Sequence, residues 1–287
     1  MKKIAIVNDL SGMGKCSLTA AIPVISAMGV QACPLPTAIL SNQTDYETYF
    51  LDDYTNRMDR IIDEWQRLNF KPDGIYTGYL ANVMQFEKVQ RMISLFSDDK
   101  TIIVCDPVLG DEGETYDMYH EELRLQMCHL IQKANLITPN LTEALLLTGD
   151  KSYMKKQWQK LQHLSEKEYL CEIELLGYTI QKAYSINCMV ITGIALPGKQ
   201  IGNLVFEQGI SYWINSPKYG GSYSGTGDLF SSVLAAGLTK GYTLKKCVET
   251  AIPFLSKAIA ETIAEGTPRN EGICFEHYLH LLYDEII

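Results

Sequence analysis

The sequence predicts an α/β protein with a mainly parallel central sheet covered by helices on both faces. Three observations lead there. Short apolar, β-rich runs recur: "IAIV" (4–7), "GIYTGYL" (74–80), "TIIVCD" (101–106), "NLITPN" (135–140) and "NCMVITG" (187–193). Stretches with helical apolar spacing lie between them, and that alternation is the signature of a parallel sheet. Of the 287 residues, 46% are hydrophobic, enough to bury a sizeable core.

The elements follow in order. "IAIV" reads as a strand, and "NDLSGMGKCSLTAA" (8–21) as its exit, a glycine turn and the start of a helix over 18–28. Residues 55–68 carry Met58, Ile61, Ile62, Trp65 and Leu68 at helical spacing. Residues 151–183, rich in Lys, Gln, Glu and Leu, read as helix with a solvated face and no chemistry. "GNLVFEQGISYWI" (202–214) alternates as a hairpin near the sheet edge does. "SGTGD" (224–228) opens a helix with Leu229, Phe230, Val233, Leu234 and Leu238 on its apolar positions and Gly241 as its stop. No repeat, low-complexity tract or Pro/Ser-rich linker interrupts the chain, so residues 1–287 read as one domain.

Charge narrows the partners. With 25 Lys+Arg against 34 Asp+Glu the net charge is −9, which argues against nucleic acid and anionic membrane surfaces. The run behind "MKK" stops at Asn8-Asp9, too short for a signal-peptide core, and no apolar stretch approaches the ~20 residues of a membrane span. The eight cysteines include no C-x-x-C pair and read as reduced packing thiols. Together these place the protein in the cytoplasm.

Ligands of parallel sheets bind beyond the carboxyl ends of the strands, so the polar strand ends and the glycine loops are where chemistry is sought. The first loop fails both nucleotide patterns. A Walker A loop ending at Gly14-Lys15 needs glycine at position 9, where Asp9 stands, and a hydroxyl at 16, where Cys16 stands. A dinucleotide fingerprint needs glycine at Ser17 and an acid about 20 residues on, but no Asp or Glu occurs between Lys15 and Asp45. A tight turn bringing backbone near a ligand and a plain strand–helix turn both remain open.

The second loop says more. Gly225, Thr226 and Gly227 at a helix start present successive N–H groups to an anion. Asp228 in the first turn can complement the helix dipole, or take a proton from an alcohol attacking a phosphoryl group.

"SGTGDLF", "DPVLGDEGETY" (106–116) and "ITPNLTEA" (137–144) resemble the ribokinase-like small-molecule kinases. "PLPTAILSNQTDY" (34–46) and "TGYLAN" (77–82) are similar to the branch acting on vitamin B6. The resemblance runs through nearly the whole chain in order; the helical segment 151–183 is its least family-like part. It implies a three-layer α/β/α fold, a homodimer, and transfer of the ATP γ-phosphoryl group to the hydroxymethyl group of pyridoxal, pyridoxamine or pyridoxine. Asp228 then matches the base, and Gly225, Thr226 and Gly227 the anion hole. Asn140 and Glu143 match the N-x-x-E motif of the nucleotide and Mg²⁺ side. Asp106 matches an acid serving nucleotide and metal, so Asp106 and Glu143 are the expected metal residues. Asp111, Tyr116, Thr192 and Lys218 complete the expected ATP contacts. The family also leaves room for a monovalent cation. Each assignment has a plainer counterpart: Asp106 as a turn former before Pro107, Asn140 and Glu143 as helix caps.

On the acceptor side, Thr44, Asp45 and Tyr79 match residues around the pyridine ring. Asp9 stands where many relatives carry a serine, with Ser11 as the nearby hydroxyl. Gln43 replaces the histidine of "SNHT", which predicts altered selectivity or affinity rather than lost chemistry. A hydroxymethylpyrimidine kinase on the same fold and a non-catalytic B6-binding protein are the alternatives; a sugar kinase fits less well, for want of an early lid insertion. His277 and His280, spaced i, i+3, read as a surface helix face rather than a metal pair.

Overall fold

The computed structural model describes residues 1–283. The architecture is α/β, a mostly parallel central sheet with flanking helices. The chain forms two compact units: Met1–Val104 with the described part of Tyr219–Ile287, and Cys105–Lys218.

The first unit runs β1 (Lys3–Ser11), α1 (Ser17–Ala27), β2 (Gln31–Leu40), β3 (Leu51–Asp53), α2 (Thr55–Arg67), β4 (Gly74–Thr77), α3 (Val83–Phe96) and β5 (Ile102–Cys105), whose last residue opens the second unit. The chain returns to it with α8 (Thr226–Lys240) and α9 (Leu244–Glu265). Its strands lie in the order β5-β4-β1-β2-β3. β1 is central and parallel to both neighbours, with Ile4 opposite Ala32 and Gly74. Ile4–Val7 are fully buried, as a strand covered on both faces requires. α1 packs on α8 and α8 on α9, while α2 packs on α3.

Two features of this unit depart from the sequence reading. β1 does not end at Asn8-Asp9 but continues beside β2 to Ser11, with a register shift between Asn8 and Leu10. Such a bulge bends a strand and re-aims its side chains. β2 holds Pro34 and Pro36, yet it is a strand, because β3 pairs only with Ala38–Leu40 and leaves the proline half as an edge.

The second unit runs β6 (Gly110–Asp111), β7 (Glu114–Thr115), α4 (Glu121–Leu130), β8 (Leu136–Ile137), α5 (Leu141–Thr148), α6 (Lys151–Leu161), α7 (Glu166–Tyr184), β9 (Cys188–Leu196), β10 (Gln200–Glu207) and β11 (Ile210–Pro217). β8 pairs parallel with β9; β9, β10 and β11 form an antiparallel meander with β11 at the edge, containing the expected hairpin. β6 and β7 form a separate two-stranded hairpin. The stretch 151–183 is two helices rather than one. Asp150 accepts from Tyr153 N to start α6, and a capping box between Ser165 and Glu168 starts α7.

Among the described residues no helix is long and apolar enough to cross a membrane. All eight cysteines are free thiols; four are buried, three half-buried and Cys171 is exposed, so the packing role holds for only part of the set.

Candidate active site

The first unit gathers its polar groups around Asp228. This residue lies in the first turn of α8, after Gly225, whose φ of 79° is left-handed and starts the helix. Asn8 Nδ2 donates to Asp228 Oδ1 at 3.0 Å, and Ser17 N donates to Oδ2 at 2.8 Å. Asp228 therefore sits at the N-terminal turns of two helices at once, since Ser17 begins α1. It supplies an acceptor to an N–H that the helix itself leaves unpaired. Ser17 is held at φ 49°, a left-handed conformation uncommon outside glycine and strained for serine. Burial pushes the Asp228 carboxyl up to about 6, with the Asp9 charge adding to the shift and the two donors opposing it.

Asn8 is fully buried and uses both ends of its amide. Besides donating to Asp228, its Oδ1 accepts from Asp9 N at 3.1 Å and Tyr79 N at 2.9 Å. A Cβ on Gly78 would fall 2.5 Å from Asn8 Nδ2, so glycine is required for this approach. Asp9 is buried, accepts from Ser11 Oγ at 3.0 Å, and has its carboxyl raised chiefly by desolvation. Tyr79 is half-buried, and its phenol is raised by burial first and then by the charges of Asp9, Tyr49 and Asp53. Asp9, Ser11, Tyr79 and Asp228 are thus brought together. Cys16, also beside Asp9 and Asp228, is a buried thiol pushed far up by desolvation and those two charges, which makes it a packing residue.

Thr44 and Asp45 stand on an exposed loop. Ser224 Oγ donates to Asp45 Oδ2 at 2.7 Å. Gln43 is buried, donates to Asn270 O at 2.9 Å and Ser224 Oγ at 3.3 Å, and accepts from Asp45 N at 2.9 Å. Its amide clamps three segments together, a role that the substitution of histidine by a neutral amide did not reveal.

Glycines from three parts of the chain allow close crossing at the first loop. A Cβ on Gly225 would lie 1.9 Å from Lys15 O, and one on Gly272 2.9 Å from Lys15 Cβ. Gly14, at φ 91°, presses on the Gln43 side chain.

In the second unit, Asn140 and Glu143 form a reciprocal cap: Asn140 Oδ1 accepts from Glu143 N at 3.0 Å and Glu143 Oε2 from Asn140 N at 2.9 Å. Both also tether the segment ahead of them. Asn140 Nδ2 donates to Gly110 O at 2.8 Å, and Glu143 Oε1 accepts from Leu109 N at 3.2 Å. Glu143 is buried and its carboxyl is raised well above the ordinary range by desolvation, then by repulsion from Asp106 and Asp111. Carboxylate oxygens of this kind are the hard donors that a divalent cation takes. Among the described residues no group of three or more His, Cys, Asp or Glu is placed to hold a metal by itself. Asp106 is buried, Asp111 half-buried and Tyr116 exposed. Thr192 N donates to Pro139 O at 2.9 Å, which sets that threonine beside the N-x-x-E turn. Lys218 is exposed beyond the end of β11. The register puts Pro217 level with Gln200, and Gln200 level with Leu196, several residues along β9 from Thr192.

The sequence marks Asn8-Asp9 as a polar strand end but gives a role only to Asp9, and it gives none to Ser17, Ser224 or Thr142. The signal for Asn8 was its position as the first polar residue after the apolar run of residues 4–7, within what proves to be β1. His277 Nδ1 lies 2.6 Å from Glu261, and His280 Nδ1 contacts the His277 carbonyl, consistent with the surface reading.

The pattern of the family described as phosphomethylpyrimidine kinase matches residues 14–272. A crystal structure from Bacteroides thetaiotaomicron, provisionally assigned as a phosphomethylpyrimidine kinase and solved with pyridoxal, is 36% identical with a TM-score of 0.88, over 98% of this chain and 95% of that one. The pyridoxal kinase structure from Lactobacillus plantarum is 29% identical with a TM-score of 0.85, over 98% and 96%. The pyridoxal kinase of Dictyostelium discoideum is 28% identical over 254 residues, 86% of this chain and 81% of that one.

Proposed function

Because the chain belongs to the phosphomethylpyrimidine kinase family, within the ribokinase-like kinases, we propose that this kinase transfers the γ-phosphoryl group of ATP to the 5′-hydroxymethyl group of a B6 vitamer. The observation that carries the reading is the setting of Asp228. Two fixed donors orient its carboxylate, its pKa is raised to about 6, and it follows directly on Gly225-Thr226-Gly227 at a helix start. A carboxylate so tuned is ionised near neutral pH and basic enough to share the proton of an attacking alcohol.

In the proposed reaction the acceptor oxygen attacks the γ-phosphorus while its proton passes to Asp228 Oδ. The new O–P bond forms as the bond to the β-phosphate oxygen breaks and ADP departs. N–H groups of Gly225, Thr226 and Gly227 stabilise the charge on the transferring phosphoryl. Asp9, Ser11, Thr44, Asp45 and Tyr79 are assigned to the acceptor; Asp106, Asp111, Tyr116, Asn140, Glu143, Thr192 and Lys218 to ATP. Asp106 and Glu143 would hold Mg²⁺, which supplies neutralisation of phosphate charge. The same reading has residues 1–287 act as one kinase domain in a cytoplasmic homodimer.

The pyrimidine reading has support of its own, in the description of the matching family. A coupled ADP-release assay with Mg²⁺-ATP across pyridoxal, pyridoxamine, pyridoxine and hydroxymethylpyrimidine decides between them. A kcat/KM clearly higher for the pyrimidine would overturn the B6 assignment. Tight vitamer binding with no ADP formed would overturn the kinase reaction proposed here.

A further inference from the structure

The hairpin of β6 and β7 has only two residues in each strand, joined through Glu112 at φ 49° and Gly113 at φ 81°. Two left-handed residues make the tight primed turn that fits hairpin twist. A hairpin this short does not hold its shape alone, so its position depends on what packs against it.

α5 holds one side. Besides the Asn140 and Glu143 tethers, Gly113 N donates to Thr142 Oγ1 at 2.9 Å. α6 holds another. Lys151 Nζ donates to Thr115 Oγ1 at 2.7 Å, Lys155 Nζ pairs with Glu114 at 3.0 Å, and the Trp158 ring lies directly against Gly113. A Cβ at Gly113 would meet three Trp158 ring atoms at 2.6 to 2.7 Å, so the glycine is matched to the ring. Residues 151, 155 and 158 are spaced i, i+4 and i+7, one face of the helix. The two lysines are exposed and contribute little. The indole, half-buried and in close contact with a buried glycine, is the main support.

We propose that α6 braces the 110–115 hairpin and that Trp158 is a positioning residue for nucleotide affinity, acting through Gly113 on Asp111 and Tyr116. This rests on the assignment of Asp111 and Tyr116 to ATP. It gives a function to a segment whose sequence shows only a solvated helix.

The test uses the full chain with Trp158→Ala and Trp158→Phe. ADP affinity is read by calorimetry, steady-state kinetics by varying ATP and acceptor separately, and hairpin order by hydrogen exchange over residues 110–116. The expected result for W158A is an ADP Kd and an ATP KM raised about ten- to a hundredfold. Acceptor KM and kcat at saturating ATP hold, exchange over 110–116 is faster, and W158F recovers most of the loss. Unchanged ADP affinity in W158A while the wild type binds ADP overturns this proposal alone. So does an equal loss in acceptor KM that W158F fails to rescue, which would mark Trp158 as general packing. A wild-type protein that binds no ADP overturns the nucleotide assignment and this proposal with it.

Discussion

Asn8 Nδ2 donates to Asp228 Oδ1 at 3.0 Å, joining the central strand β1 to a residue 220 positions later, in the first turn of α8. The same amide takes the N–H groups of Asp9 and Tyr79. One buried side chain thus fixes the proposed base together with the backbone on the acceptor side.

Removing that side chain should unsettle both. Asn8→Ala leaves two N–H donors without their acceptor, at roughly 1–3 kcal/mol for each. The expected result is a lower melting temperature and a lower kcat in the surviving folded fraction. Melting and turnover measured on the same sample check it. Wild-type kcat in N8A would remove Asn8 from any role in orienting Asp228.

Asp228→Asn should retain the far-ultraviolet circular dichroism of the wild type while losing about 10²- to 10⁴-fold in kcat. ADP release with each vitamer measures it. Turnover within a few-fold of wild type would show that the proton goes elsewhere.

The raised carboxyl sets the pH dependence. As the proposed base, Asp228 must be ionised to accept a proton, so kcat/KM should fall as pH drops through about 6. The Asp9 charge helps keep Asp228 protonated, so Asp9→Asn should move that acid limb to lower pH. Stability runs in the opposite sense. A folded pKa above the unfolded value of 3.8 means that the native state binds the proton more tightly. Stability from this group therefore declines as pH rises from about 4 to about 6. Melting curves across that window should be flatter in Asp228→Asn.

Gln43 predicts a split in the kinetic constants. Gln43→Ala removes the clamp on Asp45, Ser224 and Asn270. The acceptor KM should rise about tenfold as the loop loses its fixed position, with the KM for ATP unchanged. Equal changes in both constants would contradict the assignment of this loop to the acceptor.

What could be read from the sequence was what local pattern encodes. The strand–helix alternation, the hairpin over 202–214, the "SGTGD" helix start and its Gly241 stop, here at φ 92°, all depend on neighbours in the chain. The missed features depend on distant partners. Asn8 gains its role only when β1 and α8 meet, and Trp158 only when a helix face meets a two-residue turn. The split between α6 and α7 is a different case: the Ser165–Glu168 capping pair was visible, but a strong helical composition on both sides hid it. β2 was obscured by two prolines that only its partly unpaired edge makes tolerable.

The crossing at Lys15 has a consequence for redesign. Gly225 and Gly272 press on that one residue, Lys15 N donates to Glu271 O at 3.1 Å, and Lys15 Nζ pairs with Glu276 at 2.9 Å. Three stretches from the beginning, late part and end of the chain are therefore mutually moulded. Transplanting the first stretch from a cousin to alter vitamer choice would import a shape that the other two do not match. Laboratory recombination should treat the three as one inherited cassette; on the proposed acceptor assignment, point changes at Asp9 and Ser11 leave that crossing intact.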